Sequence, residues 1–301
     1  MSLTIRQLRY FIAAAETGQV SHAAMELNIS QSAVTAGIQG LEATLGARLL
    51  ARNAHGVSVT PEGARFLSRA KAIIAAVEEA TRSPLGEESQ VVGRLRLGLT
   101  YTVAGYFMAR HYAAFRRIYP GITLELSEQP RAAIENALVS GGLDLAVMLT
   151  SNLANTEELA SETLFRSRRR LWLPSEHRLL AAPEISLKDV AREPYVMLTV
   201  DEASRTAGRY WDKYGLVPRT VFTTSSVEAV RSMVAAGMGV TILSDMVYRP
   251  WSLEGQRIEQ RQTVEPVPSM DVGLTWPNDR PLSDPAKVFR AYISATLGAG
   301  T

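Results

Sequence analysis

Residues 23–52 read AAMELNISQSAVTAGIQGLEATLGARLLAR, and the punctuation of this stretch decides the architecture of the N-terminal part of the chain. Ser21 stands where a helix N-cap belongs, ahead of Ala23, Ala24 and Leu27, and Ser30 offers a second cap after the short segment Asn28-Ile29. The helix that Ser30 opens runs from Gln31 through Ile38 and Leu41 to about Leu45, where Gly46 ends it. Two helices meeting across so tight a turn form a helix-turn-helix. Working backward, Leu8, Phe11, Ile12 and Ala15 recur at helical spacing and Thr17-Gly18 supplies a stop, so one helix precedes the pair. Working forward, Leu49 to Arg52 and Val57 to Val59 flank Asn53-Ala54-His55-Gly56, which predicts a β-hairpin wing.

Thr60-Pro61-Glu62 then opens a helix with a capping hydroxyl, a proline at the first position and an acid at the positive end of the dipole. Phe66, Leu67, Ala70, Ile73, Ile74, Val77 and Ala80 keep an apolar stripe along it until Ser83-Pro84-Leu85-Gly86. Such a stripe packs on the wing or pairs with a second copy of itself. Its length favours pairing, and a homodimer is expected. Beyond Gly93 strands alternate with helices: Leu95 to Leu99, about Val103 to Tyr119, Ile122 to Leu126, Arg131 to Ser140, Leu143 to Leu149. This is a βαβ pattern with a largely parallel sheet. Strands near Arg170 to Leu173, Tyr195 to Thr199 and Val240 to Leu243, with helices near 201–214 and 227–237, suggest a second α/β unit.

Composition removes several functional classes. The 301 residues are 46% hydrophobic, enough apolar material for two or three domains. Lys+Arg 32 against Asp+Glu 30 leaves a net charge of +2, so any contact with nucleic acid has to be local. With no cysteine there are no disulfides, thiolate zinc sites or thiol nucleophiles, which fits a reducing compartment. Arg6 and Arg9 interrupt the N-terminal segment, which does not read as a secretory signal, and apolar runs break well before the ~18 residues of a membrane span. A cytoplasmic protein without membrane contact is expected.

The segment 23–52, followed by Thr60 and Gly63, resembles the N-terminal signature of LysR-type transcriptional regulators. VSGGLDLAV (139–147), EHRLL (176–180), VAAGMGVTIL (234–243) and LTWPNDRPLSDPAKVF (274–289) are similar to successive landmarks of that family's effector domain. The resemblance implies an α/β protein: a winged helix-turn-helix at 1–60, a linker and dimerisation helix at 61–90, and an effector-binding domain at 91–301. It further implies a type 2 periplasmic-binding-protein-like fold for that domain, with lobe one at about 91–163 and 267–301 and lobe two at about 164–266. The partners implied are double-stranded DNA and a small-molecule effector held between the lobes, in a homodimer or, by family expectation, a homotetramer.

In a helix-turn-helix the N-terminal end of the second helix enters the major groove, which places Gln31, Ser32 and Thr35 at base edges. Gln can pair bidentately with adenine. Ser21 and Ser30 suit phosphate contact, with Arg52 and His55 of the wing bracketing the duplex; the competing reading is that the serines only cap helices and His55 is solvated. Where relatives of this family carry arginine or glutamine in that helix, Ala36, Gly37 and Gly40 stand, and Ile29 to Leu41 contains no charge. Phosphate contact then falls mainly to Arg48, Arg52 and the flanking helices, and a shallow salt dependence follows.

For the effector, Thr100-Tyr101-Thr102 joins a strand to a helix N-terminus, where open N–H groups and hydroxyls favour an anion such as a carboxylate. By resemblance, Thr150-Ser151, Thr199-Val200 and Ser226 complete the cleft; each hydroxyl could equally close a turn. Tyr101, Tyr106 and Phe107 line a pocket or belong to the core. The run Arg166-Ser167-Arg168-Arg169-Arg170 attracts an acidic partner or is a solvated strand edge.

Other signals are weak. Gly237-Met238-Gly239 follows a helix and precedes a strand, the reverse of a dinucleotide fingerprint. His22, His55, His111 and His177 lack metal-ligand spacing, and no serine elbow or phosphate loop is present. Asn28-Ile29-Ser30 matches a glycosylation triplet inside the helix-turn-helix of a chain with no export signal. No cofactor, metal or catalytic residue is expected; the alternatives to a regulator are a solute-binding module and, less favoured by a neutral hydroxyl lining, an enzyme.

Overall fold

Thr4 starts the fold by capping. Its hydroxyl accepts the Gln7 N–H at 3.3 Å while the Gln7 side-chain carbonyl accepts the Thr4 N–H at 2.9 Å, and α1 (Ile5–Thr17) follows. The computed structural model describes residues 3–27, 29–53, 56–82 and 91–298, and the chain divides into two compact units, 1–86 and 87–301. His55 and Asn28 lie outside the described residues, as do the stop at 83–86 and the side chains of Arg52 and Ala80.

In the first unit, Gly18 in the left-handed region (φ 69°) turns the chain directly into α2 (Val20–Glu26). The cap of α2 is therefore Gln19 and not Ser21, which sits in the first turn, half-buried. Ser30 does cap α3 (Gln31–Leu45), accepting Ala33 N–H at 3.3 Å, and Gly46 closes it at φ 65°. β1 (Leu50–Asn53) and β2 (Gly56–Val59) pair antiparallel as the wing. α4 (Pro61–Arg82) begins under Thr60, whose hydroxyl accepts Gly63 N–H at 2.9 Å and donates to Arg48 O at 2.7 Å. A Cβ at Gly63 would stand 2.1 Å from Leu49 O, so only glycine lets the helix lie against the strand entry.

The core of this unit joins Leu8, Phe11 and Ala14 of α1 to Val34, Ile38 and Leu41 of α3. The stripe of α4 divides. Phe66, Leu67, Ala70 and Ile74 pack on this core, Phe66 with its ring 5.7 Å from that of Phe11, whereas Ile73 is exposed.

The second unit opens with β3 (Gly93–Leu99). A continuous helix follows, made of α5 (Tyr101–Val103), a wider π turn over Ala104–Met108 and α6 (Ala109–Ile118). β4 (Ile122–Glu128), α7 (Arg131–Val139) and β5 (Leu145–Leu149) complete the βαβ run, with β3 parallel to both β4 and β5. After a 3-10 turn at Thr150–Asn152, β6 (Leu159–Ser167) ends in the same sheet and the chain crosses at Arg168.

The second lobe holds β7 (Arg169–Pro174), α8 (Leu187–Ala191), β8 (Pro194–Leu198), α9 (Ala203–Lys213), β9 (Arg219–Thr224), α10 (Val227–Ala235), β10 (Thr241–Ser244) and β11 (Ile258–Arg261). β10 and β11 flank β7 antiparallel, β8 and β9 run parallel, and a bridge from Tyr195 to Val240 ties the two strand groups together. β12 (Met270–Pro277) then returns to the first sheet, whose order is β4-β3-β5-β12-β6, and α11 (Asp284–Gly298) covers it. The expected parallel sheet is thus mixed. β12 is antiparallel to β5 and β6 because it brings back, beside β6, the chain that β6 carried out. Apolar side chains bury the faces: Leu97, Val147, Phe115 and Phe289 in the first lobe, Trp172, Val196, Val230 and Leu243 in the second.

Candidate functional site

The α3 helix separates its faces cleanly. Val34, Ile38 and Leu41 are buried, while Gln31, Ser32, Ala36 and Gln39 are exposed. Counting four and three residues on from Ser32 reaches Ala36 and Gln39, so helical spacing could have added Gln39 to the sequence-derived set. Ser30 shares its hydroxyl with Ser32 at 3.1 Å, and the Thr35 hydroxyl donates to Gln31 O at 2.9 Å, which ties it to its own helix. Arg52 lies in β1 opposite Val57, and Arg48 is exposed just before the wing.

The two glycines of α3 face inward. A Cβ at Gly37 would lie 2.5 Å from the Tyr10 ring, and one at Gly40 would lie 2.9 Å from Gln7 Nε2, both on α1. They are explained by helix-to-helix packing rather than by approach to a duplex. Glu42 fixes the far end: its Oε1 accepts the N–H groups of Leu49 at 2.7 Å and Leu50 at 3.1 Å, joining α3 to the wing. A charge-free exposed face is therefore held by a charged joint at its back.

In the second unit the strand ends of the two lobes meet. The helix N-terminus at Tyr101 and Thr102, where an anion was expected, is engaged by the chain's own Asp201: Tyr101 N donates to Oδ1 at 3.2 Å, Thr102 N to Oδ2 at 2.7 Å and the Thr102 hydroxyl to Oδ2 at 2.5 Å. Asn152 Nδ2 donates to Asp201 O at 2.9 Å from the same first lobe. Asp201 and Glu202 adopt φ of 49° and 62°, two successive left-handed residues without glycine. Each such residue costs roughly 1–3 kcal/mol, which the donors around the carboxylate offset.

Neighbouring contacts continue this closure. Arg131 Nε donates to Glu202 at 2.8 Å and its Nη1 to Glu135 at 2.8 Å, a largely buried chain of charges across the lobes. Tyr106 donates to Glu228 Oε1 at 2.9 Å, and burial with that bond holds the phenol above its usual pKa, a neutral donor throughout the physiological range. Tyr101 and Tyr106 pack against the second-lobe cluster, whereas Phe107 is first-lobe core.

The remaining cleft residues have mixed surroundings. Thr100 is buried, and among the described residues its hydroxyl has no hydrogen-bond partner. Thr150 donates to Asp271 O at 3.3 Å, and exposed Ser151 accepts from Asp271 N at 3.4 Å. The Thr199 hydroxyl donates to Thr224 O at 3.2 Å, Ser226 caps α10 by accepting Ala229 N–H at 3.2 Å, and Val200 packs on the second-lobe cluster. Of the arginine run, Arg166 pairs with Asp271 and Arg170 with Asp245. Sequence reasoning missed Asp201, Glu202, Arg131 and Asn152, because the bonds joining them span 49 to 100 residues of chain.

Among the described residues no helix is long and apolar enough to cross a membrane, and no three His, Asp or Glu side chains gather as metal ligands. The bacterial regulatory helix-turn-helix model of the lysR family matches residues 5–64, and the LysR substrate binding domain matches 88–298. The chain is 31% identical to the HTH-type transcriptional regulator YnfL of Escherichia coli, over 99% of this chain and 100% of that protein. It is 30% identical to the HTH-type transcriptional regulator CysL of Bacillus subtilis, over 80% and 81% of the two chains. The structure of HinK, a LysR family transcriptional regulator from Pseudomonas aeruginosa, superimposes with a TM-score of 0.64 at 29% identity, covering 99% of this chain and 100% of that one. With a helix-turn-helix DNA-binding part and an effector-binding part both matched, the chain belongs to the LysR family of transcriptional regulators.

Proposed function

We propose that this regulator is a cytoplasmic homodimer that reads double-stranded DNA through α3 and is switched by a small anionic effector acting between the lobes of its C-terminal domain. In this reading 1–60 binds DNA, 61–90 pairs the subunits and 91–301 senses the effector. Gln31, Ser32 and Thr35 face bases, with Ser21, Ser30, Arg52 and His55 toward phosphates. Thr100, Tyr101, Thr102, Thr150, Ser151, Thr199, Val200 and Ser226 surround the effector. Exposed Ile73 on the stripe of α4 supports pairing, since a lone apolar side chain there gains by burial against a second copy.

The observation that carries the regulatory part is the Asp201 carboxylate on the N–H groups of Tyr101 and Thr102, a bond between lobes that an anionic effector competes for. Exchange of one anion for the other alters the closure of the lobes and hence the presentation of the DNA-binding parts. The test is fluorescence anisotropy of the full-length protein on the duplex upstream of its own gene and on a scrambled duplex, across a salt series. Tight binding confined to the first duplex, with a shallow slope of log K against log salt, is expected. Equal affinity for both contradicts the reading, and a steep slope contradicts the limited phosphate contact.

A further inference from the structure

Beside the strand ends, a half-open cavity of about 490 Å³ is lined by the turn carrying Ser151, by α9 with Thr206, Arg209 and Lys213, and by the returning segment 266–269. That is within the usual range for small-molecule pockets. Arg209 and Lys213 are four residues apart and so share one face of α9, where like charges repel. Arg209 donates to the Thr206 hydroxyl at 3.2 Å and Lys213 lies 5.3 Å from the Tyr214 ring; among the described residues neither meets a carboxylate.

A third cation reinforces the field. Arg169 donates to the main-chain oxygens of Pro268 and Ser269, two residues of the cavity wall. Burial is the main cause lowering its pKa from the ordinary arginine value; nearby Arg209 adds to this, while Tyr210, Tyr195 and Asp271 oppose it. The neighbouring acid, Asp271, is committed to the Ser269 hydroxyl at 2.5 Å and to Arg166 at 3.3 Å. Other arginines of this unit are paired, as in Arg96–Asp144, Arg131–Glu135 and Arg290–Glu162, or spend their donors on main-chain oxygens, as Arg261 does on Leu180 and Ala182. Among the described residues, Arg209 and Lys213 converge on this cavity without a carboxylate partner.

We propose that this cavity is a second anion site, distinct from the Tyr101–Thr102 position that Asp201 engages, and that it takes a small metabolite bearing a dianionic head. Phosphate monoesters and dicarboxylates share that chemistry. Arg209 and Lys213 carry the charge contacts. Asn152 links the two places: the Thr206 hydroxyl donates to its Oδ1 at 3.5 Å, while its Nδ2 holds Asp201 O. An occupant of the cavity therefore bears on the lobe closure, a consequence that rests on the regulatory reading above, although binding itself does not.

The test is isothermal titration of the full-length protein with glycerol 3-phosphate, with succinate and with uncharged glycerol, at constant ionic strength. One of the two dianions binds the wild type and glycerol does not; which of them does so separates the phosphate and carboxylate sources. Arg209→Ala and Lys213→Gln, both at exposed side chains, each weaken binding about tenfold or more. Lys213→Arg, which keeps the charge, stays within a few-fold of wild type, and circular dichroism checks that all variants are folded. Absence of dianion binding to the wild type overturns the site, as does binding unchanged in both charge-removing variants. A dianion that binds through Arg209 and Lys213 yet leaves DNA affinity unaltered supports the site and counts against the regulatory reading.

Discussion

Asp201 holds an unfavourable backbone conformation in exchange for three donors. Its carboxylate meets two N–H groups and one hydroxyl of the first lobe, with Glu202 beside it bound by Arg131. Asn tolerates the left-handed region as well as Asp does, so Asp201→Asn removes the charge without adding strain. This variant should lower the stability of the C-terminal unit by about 1–3 kcal/mol, because bonds to an ionised acceptor become neutral ones. It should also raise the affinity for acetate at the Tyr101–Thr102 position. Urea unfolding followed by tryptophan fluorescence, with an acetate titration, checks both; an unchanged midpoint contradicts the role given to this carboxylate. Nothing local in the sequence marks Asp201. An acid opening what reads as a helix from 201 is ordinary, and the left-handed pair that delays α9 to Ala203 is imposed by partners about a hundred residues away.

At the scale of elements, α3 was legible at its ends and opaque along its length. Ser30 and Gly46 act through their own neighbouring backbone, so the cap and the stop could be read directly. Gly37 and Gly40 act through α1, which the sequence of α3 cannot reveal, and their loss of helix propensity is compensated by close packing. The two should respond oppositely to alanine. Gly37→Ala drives a methyl into the Tyr10 ring and should destabilise the first unit by about 1–2 kcal/mol net of the propensity gain. Gly40→Ala meets only the movable end of Gln7 and should be neutral or stabilise by up to about 1 kcal/mol. Hydrogen exchange of residues 31–45 in the full chain measures both, and equal protection changes would contradict this packing. The stripe of α4 was legible as a stripe, but its division between the core of its own unit and exposed Ile73 depends on where Phe11 lies.

Over the whole molecule, the helices and strands that were readable came in the right order because each carries its own period and punctuation, while β6, β9, β11, β12, α8 and α11 were not read from the sequence. The antiparallel return of β12 could not be read, since its direction is fixed by the excursion of just over a hundred residues between β6 and β12. The hydroxyls proposed for the cleft were picked out by their position at strand ends; that Ser226 caps α10 and that Thr199 donates to Thr224 O follows from contacts the sequence does not display. At this scale we propose α3 as the reading element of a two-fold symmetric regulator. Its most direct test is selection of bound sequences from a random duplex library by the full-length protein and by Gln31→Ala. We expect a palindromic motif with half-sites one helical turn, about 10–10.5 base pairs, or a multiple of it apart, and a relaxed preference at one position of each half-site for the variant. No enriched motif, or an identical motif for both proteins, would contradict it.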